Sequence, residues 1–303
     1  MGNRSLAILF LFFFAIDYSY SSSCCGGGNN APLVMTKETA AMITMLTKHS
    51  AITHYADANS KITTRNKIYN SVINSTDLSG ILSINQNTQI SGLITYTNRK
   101  NTTVLNKESS HGINKLIFQV NYEFLPEYLY SRWRPRGFIF VNIDHPLSKS
   151  IFESKKTLQT DAISDPQTSS SVGILFKKNL NYFDFLTSTS ISLYFPKDLN
   201  WNNKKLTASE LFKFNHLIDI GVSLPESNFR FGLSLNYVHK SKNTLRQFGQ
   251  VNESYLLSFG LNGSYEFNKF ILGLNYTDQS YLFIAKNNSL TKSVALSISR
   301  PFY

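Results

Sequence analysis

Residues 229–237 read FRFGLSLNY, and the bulky apolar side chains fall on every second position. Phe229, Phe231, Leu233, Leu235 and Tyr237 share one phase, and Arg230, Gly232, Ser234 and Asn236 share the other. A period of two marks a β-strand with unlike faces. A soluble sandwich would turn the apolar face inward to a core. An outer-membrane barrel would turn it outward to lipid and line its lumen with the polar face.

The pattern recurs and predicts twelve strands, near 40–55, 67–85, 89–98, 115–124, 137–145, 169–178, 183–195, 208–223, 229–240, 252–265, 270–281 and 290–302. Leu116, Phe118, Val120, Tyr122 and Phe124 oppose Gln119, Asn121 and Glu123, and Val294, Leu296 and Ile298 oppose Ser293, Ser297 and Ser299. Segment 137–145 is apolar on both faces, and 40–55 also fits an amphipathic helix. Even-to-odd links are mostly tight (86–88, 179–182, 224–228, 266–269), whereas odd-to-even links are longer (56–66, 99–114, 146–168, 196–207, 241–251, 282–289). Short periplasmic turns alternating with longer outer loops characterise outer-membrane barrels, and a sandwich has no reason to alternate them. Stretch 125–136, LPEYLYSRWRPR, breaks the rule by being long on the short side. The predicted fold is therefore all-β: a closed antiparallel transmembrane β-barrel of about twelve strands, with both ends on the periplasmic side.

Composition agrees. Charged residues are 16 % of the chain, below the usual quarter. Aromatic residues include 23 Phe and 16 Tyr against 2 Trp, a supply suited to aromatic belts. A mean hydropathy of −0.17 excludes a bundle of membrane helices. At the N-terminus, Arg4 precedes the apolar run 6–16, LAILFLFFFAI, which Asp17 stops. That run is too short to span a bilayer and suits a signal peptide. The expected organisation is a signal peptide at 1–23, a periplasmic N-terminal tail at 24–39 and a barrel at 40–303, reached by Sec-type export to the outer membrane. The Gly/Asn-rich tail either threads the barrel from below or hangs free. Cys24 and Cys25 are adjacent and cannot staple distant segments. Cys24 is a candidate lipidation site, with ordinary signal cleavage the alternative, because residues 21–23 lack the leucine expected upstream of a lipidated cysteine. The chain ends SISRPFY, and Phe302 and Tyr303 form a candidate signal for the barrel-assembly machinery. Phe302 is the one in phase with Val294, Leu296 and Ile298.

The stretch CCGGG at 24–28, directly after a signal peptide, resembles the start of a family of Gram-negative outer-membrane barrels described as transporter-like or phenol-degradation MetA-like. NYEFLPEYLYSRWRPRGF at 121–138, LNYTDQSYL at 274–282 and NNSLTKSVALSISRPF at 287–302 are similar to further stretches of that family. The similarity is weak before Leu116 and more specific after it. Loop 146–168 lacks the family's Thr-Gly pair after Pro146, and the middle strands hold fewer glycines. The resemblance implies a barrel in the outer membrane. It brings no established substrate and no catalytic residues.

Strand phase nominates Gln119, Asn121, Arg230, Asn236, Asn262, Asn275 and Thr277 as lumen-lining. At the periplasmic rim, Tyr128, Tyr130 and Trp133 interleave with Arg132, Arg134 and Arg136. This motif is either a platform for an anionic partner or a belt of aromatics and snorkelling arginines that seats the barrel. The net charge is +11, and basic residues cluster in the expected outer loops: Lys149, Lys155, Lys156, Lys204, Lys205, Lys240, Lys242 and Arg246. Lipopolysaccharide phosphates would attract them. The six histidines show no metal-ligand spacing, no cofactor motif occurs, and no basic helix points to nucleic acid. His239, Ser241 and Asn252 allow a remote comparison with an outer-membrane phospholipase, against the plainer reading of polar residues entering a loop. The expected function is a narrow channel or transporter for small, even hydrophobic, solutes; the alternative is a non-conducting structural or surface-interaction barrel.

Overall fold

The computed structural model describes residues 32–35, 39–66, 69–126, 133–150, 153–180, 182–201, 204–224, 227–245, 249–251 and 253–303. The expected signal peptide 1–23, Cys24, Tyr128, Tyr130, Arg132, Arg246 and Asn252 lie outside the described residues.

Twelve long strands make the wall: β1 Ala41–Ala56, β2 Asn70–Ser83, β3 Thr88–Thr102, β4 Lys107–Leu125, β5 Arg136–Pro146, β6 Ser169–Leu180, β7 Phe183–Tyr194, β8 Leu211–Ser223, β9 Phe229–Lys240, β10 Ser254–Phe267, β11 Phe270–Asp278 and β12 Asn288–Phe302. Each pairs antiparallel with its neighbours in sequence, and β1 pairs with β12 to close the ring. The seam runs from Ala41 opposite Phe302 to Ala56 opposite Asn288, with a single irregularity between Ile52 and His54. Pro301 sits opposite Met42 without shifting that register.

The alternation sorts as a barrel in lipid requires. On β12, Val294, Leu296 and Ile298 are exposed and Ser293, Ser297 and Ser299 are buried. On β9, Phe229, Phe231, Leu233 and Leu235 face out, while Ser234 and Asn236 are buried. The outer wall is thus apolar and the inner wall largely polar, the reverse of a soluble core. Aromatic side chains gather at the turn end. Phe229 stacks on Tyr265 at 4.4 Å and on Phe231 at 6.2 Å, and Tyr265 stacks on Phe267 at 6.4 Å. Arg300 lies over Phe270 at 5.7 Å and Phe302 at 5.0 Å, a cation held at the edge of the apolar band. Asn228 and Asn268 occupy left-handed backbone conformations in the tight β8–β9 and β10–β11 turns, which asparagine tolerates.

Three details differ from expectation or resolve it. Segment 40–55 is strand β1, not a helix; its apolar residues fall on both faces because Met42 and Leu46 point inward. The expected loop 99–114 is mostly strand, since β3 and β4 stay paired out to Thr102 opposite Lys107. This outer hairpin stands beyond the apolar band, so it lacks the apolar phase that identifies the other strands. Within the expected loop 196–207, Lys197–Trp201 and Lys204–Ala208 pair as a hairpin.

Replacing Leu296 with arginine puts a charge on the lipid face, which costs about 2–4 kcal/mol near the bilayer midplane. Urea unfolding of the barrel in lipid vesicles is expected to show that loss, and an unchanged midpoint would mean that Leu296 faces water.

Candidate functional site

A closed tube of this size is filled or throttled by what its inner wall carries. Residues 32–35 lie inside it, outside any helix or strand. A backbone segment in a closed lumen must find partners for its N–H and C=O groups, and carboxamide side chains provide them. The Met35 N–H donates to Gln89 Oε1 at 3.0 Å, and Gln89 Nε2 donates back to the Met35 carbonyl at 3.2 Å. The Leu33 carbonyl accepts from Gln119 Nε2 at 3.3 Å and from Asn121 Nδ2 at 2.8 Å. Gln119 also donates to Asn121 Oδ1 at 2.6 Å, which fixes both amides. On the segment's other side, Val34 packs into a buried apolar group made by Phe138, Phe140, Leu175, Leu186 and Leu217. Gly173 leaves room for the Phe140 ring; a Cβ there would collide with it. Met35 packs with Met42 and Ile81.

Two charge networks flank this plug toward the turn end. Arg136 makes a bidentate pair with Glu123, Nε to Oε1 at 3.1 Å and Nη2 to Oε2 at 2.9 Å, with the two side chains 9 % and 1 % exposed. The guanidinium also covers the Phe138 ring at 5.0 Å. Arg230 donates to Asp184 (Nε to Oδ2, 2.7 Å), to Asp219 and to Asn262, while Asn262 Nδ2 donates to Asp219 Oδ2 at 2.6 Å. Gly221 lies under this guanidinium, and a Cβ there would strike it. Planar five-donor arginine suits such forked acceptance, and pairing is what makes buried charge tolerable.

The outer half is built differently. Lys115 pairs with Asp144 at 3.1 Å. The described residues of loop 147–168 fold onto the inner side of the β3–β4 hairpin. Arg99 and Asn101, in phase with the buried Thr95 and Thr97, donate to the Ala162 carbonyl at 2.9 Å and the Leu158 carbonyl at 2.7 Å. Ser164 Oγ donates to the Asn114 carbonyl at 2.8 Å. Asp161 braces the loop. Burial raises its carboxyl pKa, but the Ser154 hydroxyl and the Lys155 amide outweigh that and hold it below the ordinary carboxylate value. Between β8, β9 and β10 lies a cavity of about 250 Å³ lined by Lys213, Asn236, Lys240, Ser254 and Ser258 among others.

The residues nominated from sequence therefore separate. Gln119 and Asn121 hold the plug, Arg230 and Asn262 share one ion network, and Asn236 lines the outer cavity. Asn275 and Thr277 stand half-buried on β11 in phase with Gly273. Arg136, the first residue of β5, turns inward at the turn end and pairs with Glu123. Trp133 is 82 % exposed and Arg134 half-buried near it in sequence. Phe302 faces outward as its phase requires, and Tyr303 follows the strand end, exposed. Lys240 lines the cavity instead of an outer loop. His239 Nε2 is 4.0 Å from Glu253, and Ser241 Oγ accepts from the Phe212 amide at 3.0 Å; among the described residues no hydrogen bond joins His239 to Ser241. Gln89, Asp184 and Asp219 are not among the residues nominated from sequence, and Glu123 enters there only as a polar-phase residue of its strand. Their signal was strand phase, which Gln89 and Glu123 carried openly.

Removing one partner of a buried ion pair strands the other, at about 3–5 kcal/mol. Glu123→Ala is expected to lose that much stability in urea unfolding, more than Lys115→Ala, whose pair is partly exposed.

No protein-family model matches the chain, and no curated protein matches it in sequence. Solved structures do match in fold. An outer membrane channel from Pseudomonas putida F1 superposes with a TM-score of 0.69 at 11 % identity, over 91 % of this chain and 98 % of that one. The translocator domain of the autotransporter NalP from Neisseria meningitidis gives 0.49 at 10 % identity, over 87 % and 89 %. The CymD monoaromatic hydrocarbon channel gives 0.43 at 10 % identity, over 88 % and 90 %. The first of these likenesses shows the fold: this chain is a closed antiparallel barrel of the outer-membrane kind.

Proposed function

We propose that the protein resides in the outer membrane and passes small solutes through a narrow lumen, throttled below by residues 32–35 and above by loop 147–168. The observation that carries this reading is the plug's attachment. It is held by four side-chain hydrogen bonds to Gln89, Gln119 and Asn121 and by the packing of Val34 and Met35, with no ion pair among the described residues. Neutral hydrogen bonds are each worth about 0.5–1.5 kcal/mol net, so such an attachment is reversible. Behind it stands the apolar wall of Phe138, Phe140, Leu175, Leu186 and Leu217, which a solute would meet when Val34 withdraws. That wall favours a solute with an apolar body. The same plug and loop favour, as second reading, a non-conducting structural barrel. The exposed, apolar outer wall supports a partnership with lipid, and the exposed Lys149 one with lipopolysaccharide phosphate.

Planar-bilayer recordings separate the two readings. The wild-type chain is expected to give small unit steps. The double variant Gln119→Ala/Asn121→Ala, with its plug unpinned, is expected to give larger or more frequent ones. Silence from both, with the barrel shown intact by heat-modifiable gel mobility, would establish the structural reading instead.

A further inference from the structure

The outer cavity contains an arrangement that neither passage nor plugging uses. Lys213 on β8 and Lys240 on β9 are direct cross-strand partners. Both face the lumen, Lys213 in phase with Asn215 and Leu217, and Lys240 in phase with Ser234 and Asn236. Like charges directly opposite on neighbouring strands repel, and the penalty grows away from water. A carboxylate would ordinarily answer them, as Asp144 answers Lys115 at 3.1 Å. Among the described residues neither Lys213 nor Lys240 has an ion pair; Asp165 and Asp144 act on Lys213 only from beyond ion-pair distance. Glu253, the acid just beyond the next loop, is taken by Lys286 at 2.9 Å. Lys240 has an aromatic flank, its Nζ 6.0 Å from the Tyr194 ring centroid.

A second observation is independent of the lysines. Asn236 lines the same cavity and is 6 % exposed, yet its Oδ1 has no hydrogen-bond donor. A buried acceptor without a donor costs about 1–3 kcal/mol. Two unanswered ammonium groups and one unanswered acceptor, facing a cavity of about 250 Å³, make a coherent demand. The occupant must bring negative oxygens for the lysines and a hydroxyl donor for Asn236. We propose that this cavity is a binding site for a small hydroxylated organic anion, a sugar acid or sugar phosphate: its anionic oxygens lie between Lys213 and Lys240, and a hydroxyl donates to Asn236. This goes beyond passage through the barrel, because the site needs only to be filled, not traversed.

Isothermal titration calorimetry on the full chain in detergent micelles tests it, with gluconate and glucose 6-phosphate as probes and neutral glucose as control. Saturable binding of either anion is expected, weakening as salt is raised, with no comparable binding of glucose. Lys213→Gln and Lys240→Gln are each expected to weaken it about tenfold or more, the loss of one charge-assisted contact. Lys269→Gln, at an exposed position in the β10–β11 turn at the far end of the barrel, is expected to leave it unchanged. Without ligand, Lys213→Gln is also expected to raise the temperature of the heat-modifiable gel transition, since it removes the repulsion; that readout also shows the variant barrel to be closed. Absence of saturable binding of both anions at millimolar concentration, equal binding by Lys213→Gln, or equal binding of glucose would overturn the proposal. Binding in micelles does not depend on an open pore, so a negative result here and a silent barrel in a bilayer are separate outcomes.

Discussion

Lipid offers a peptide group nothing to bond with. Every donor and acceptor on the wall of this protein must therefore be answered by another strand, and the only sheet that leaves no strand unanswered is one whose last member meets its first. The seam from Ala41–Phe302 to Ala56–Asn288 meets that demand, and the outward apolar phase follows from it. The same demand reappears inside. Residues 32–35 have no ladder of their own, so Gln89, Gln119 and Asn121 act as their ladder. One constraint, complete pairing of the backbone, thus shapes both the wall and what lies within it.

Inside the wall, charge and grease occupy different levels. Toward the turn end Arg136 and Arg230 are enclosed by Glu123, Asp184 and Asp219, so that level is cross-linked and locally rigid. The plug level joins an amide face on β3 and β4 to an apolar face on β5–β8. Higher up, Lys115 keeps Asp144 and Lys292 keeps Asp278, whereas Lys213 and Lys240 face each other across neighbouring strands. Enclosed charges below and unanswered ones above make the outer level the part of the lumen able to take up a charged guest.

Much of this is written in the alternation of the chain. Strand phase alone put Gln119, Asn121, Arg230, Asn236 and Asn262 on the inner wall, because a period of two leaves each residue only one of two sides. Other parts needed coordinates. Segment 137–145 is apolar on both faces, a pattern at odds with a water-filled lumen. The reason is Val34, which Phe138 and Phe140 cover from within. A doubly apolar strand in such a barrel is thus a sign of an occupied interior, legible only with the occupant in hand. The outer β3–β4 hairpin is hidden from the sequence for the opposite reason: clear of lipid, it carries polar residues in both phases. The inward turn of Arg136 is not legible in its run of aromatics, and only the position of Glu123, thirteen residues earlier across a bulged pair, shows where its charge is spent.

The way residues 32–35 are fastened has a consequence for how they can be freed. Glutamine and asparagine neither titrate nor carry charge, so the clasp they form is indifferent to acidity and to ionic strength, the two signals to which an exposed surface most readily responds. Its release must come instead from something that competes for its amide hydrogen bonds or for the apolar packing of Val34 and Met35. The wall answers to the membrane, but the latch inside it answers only to touch.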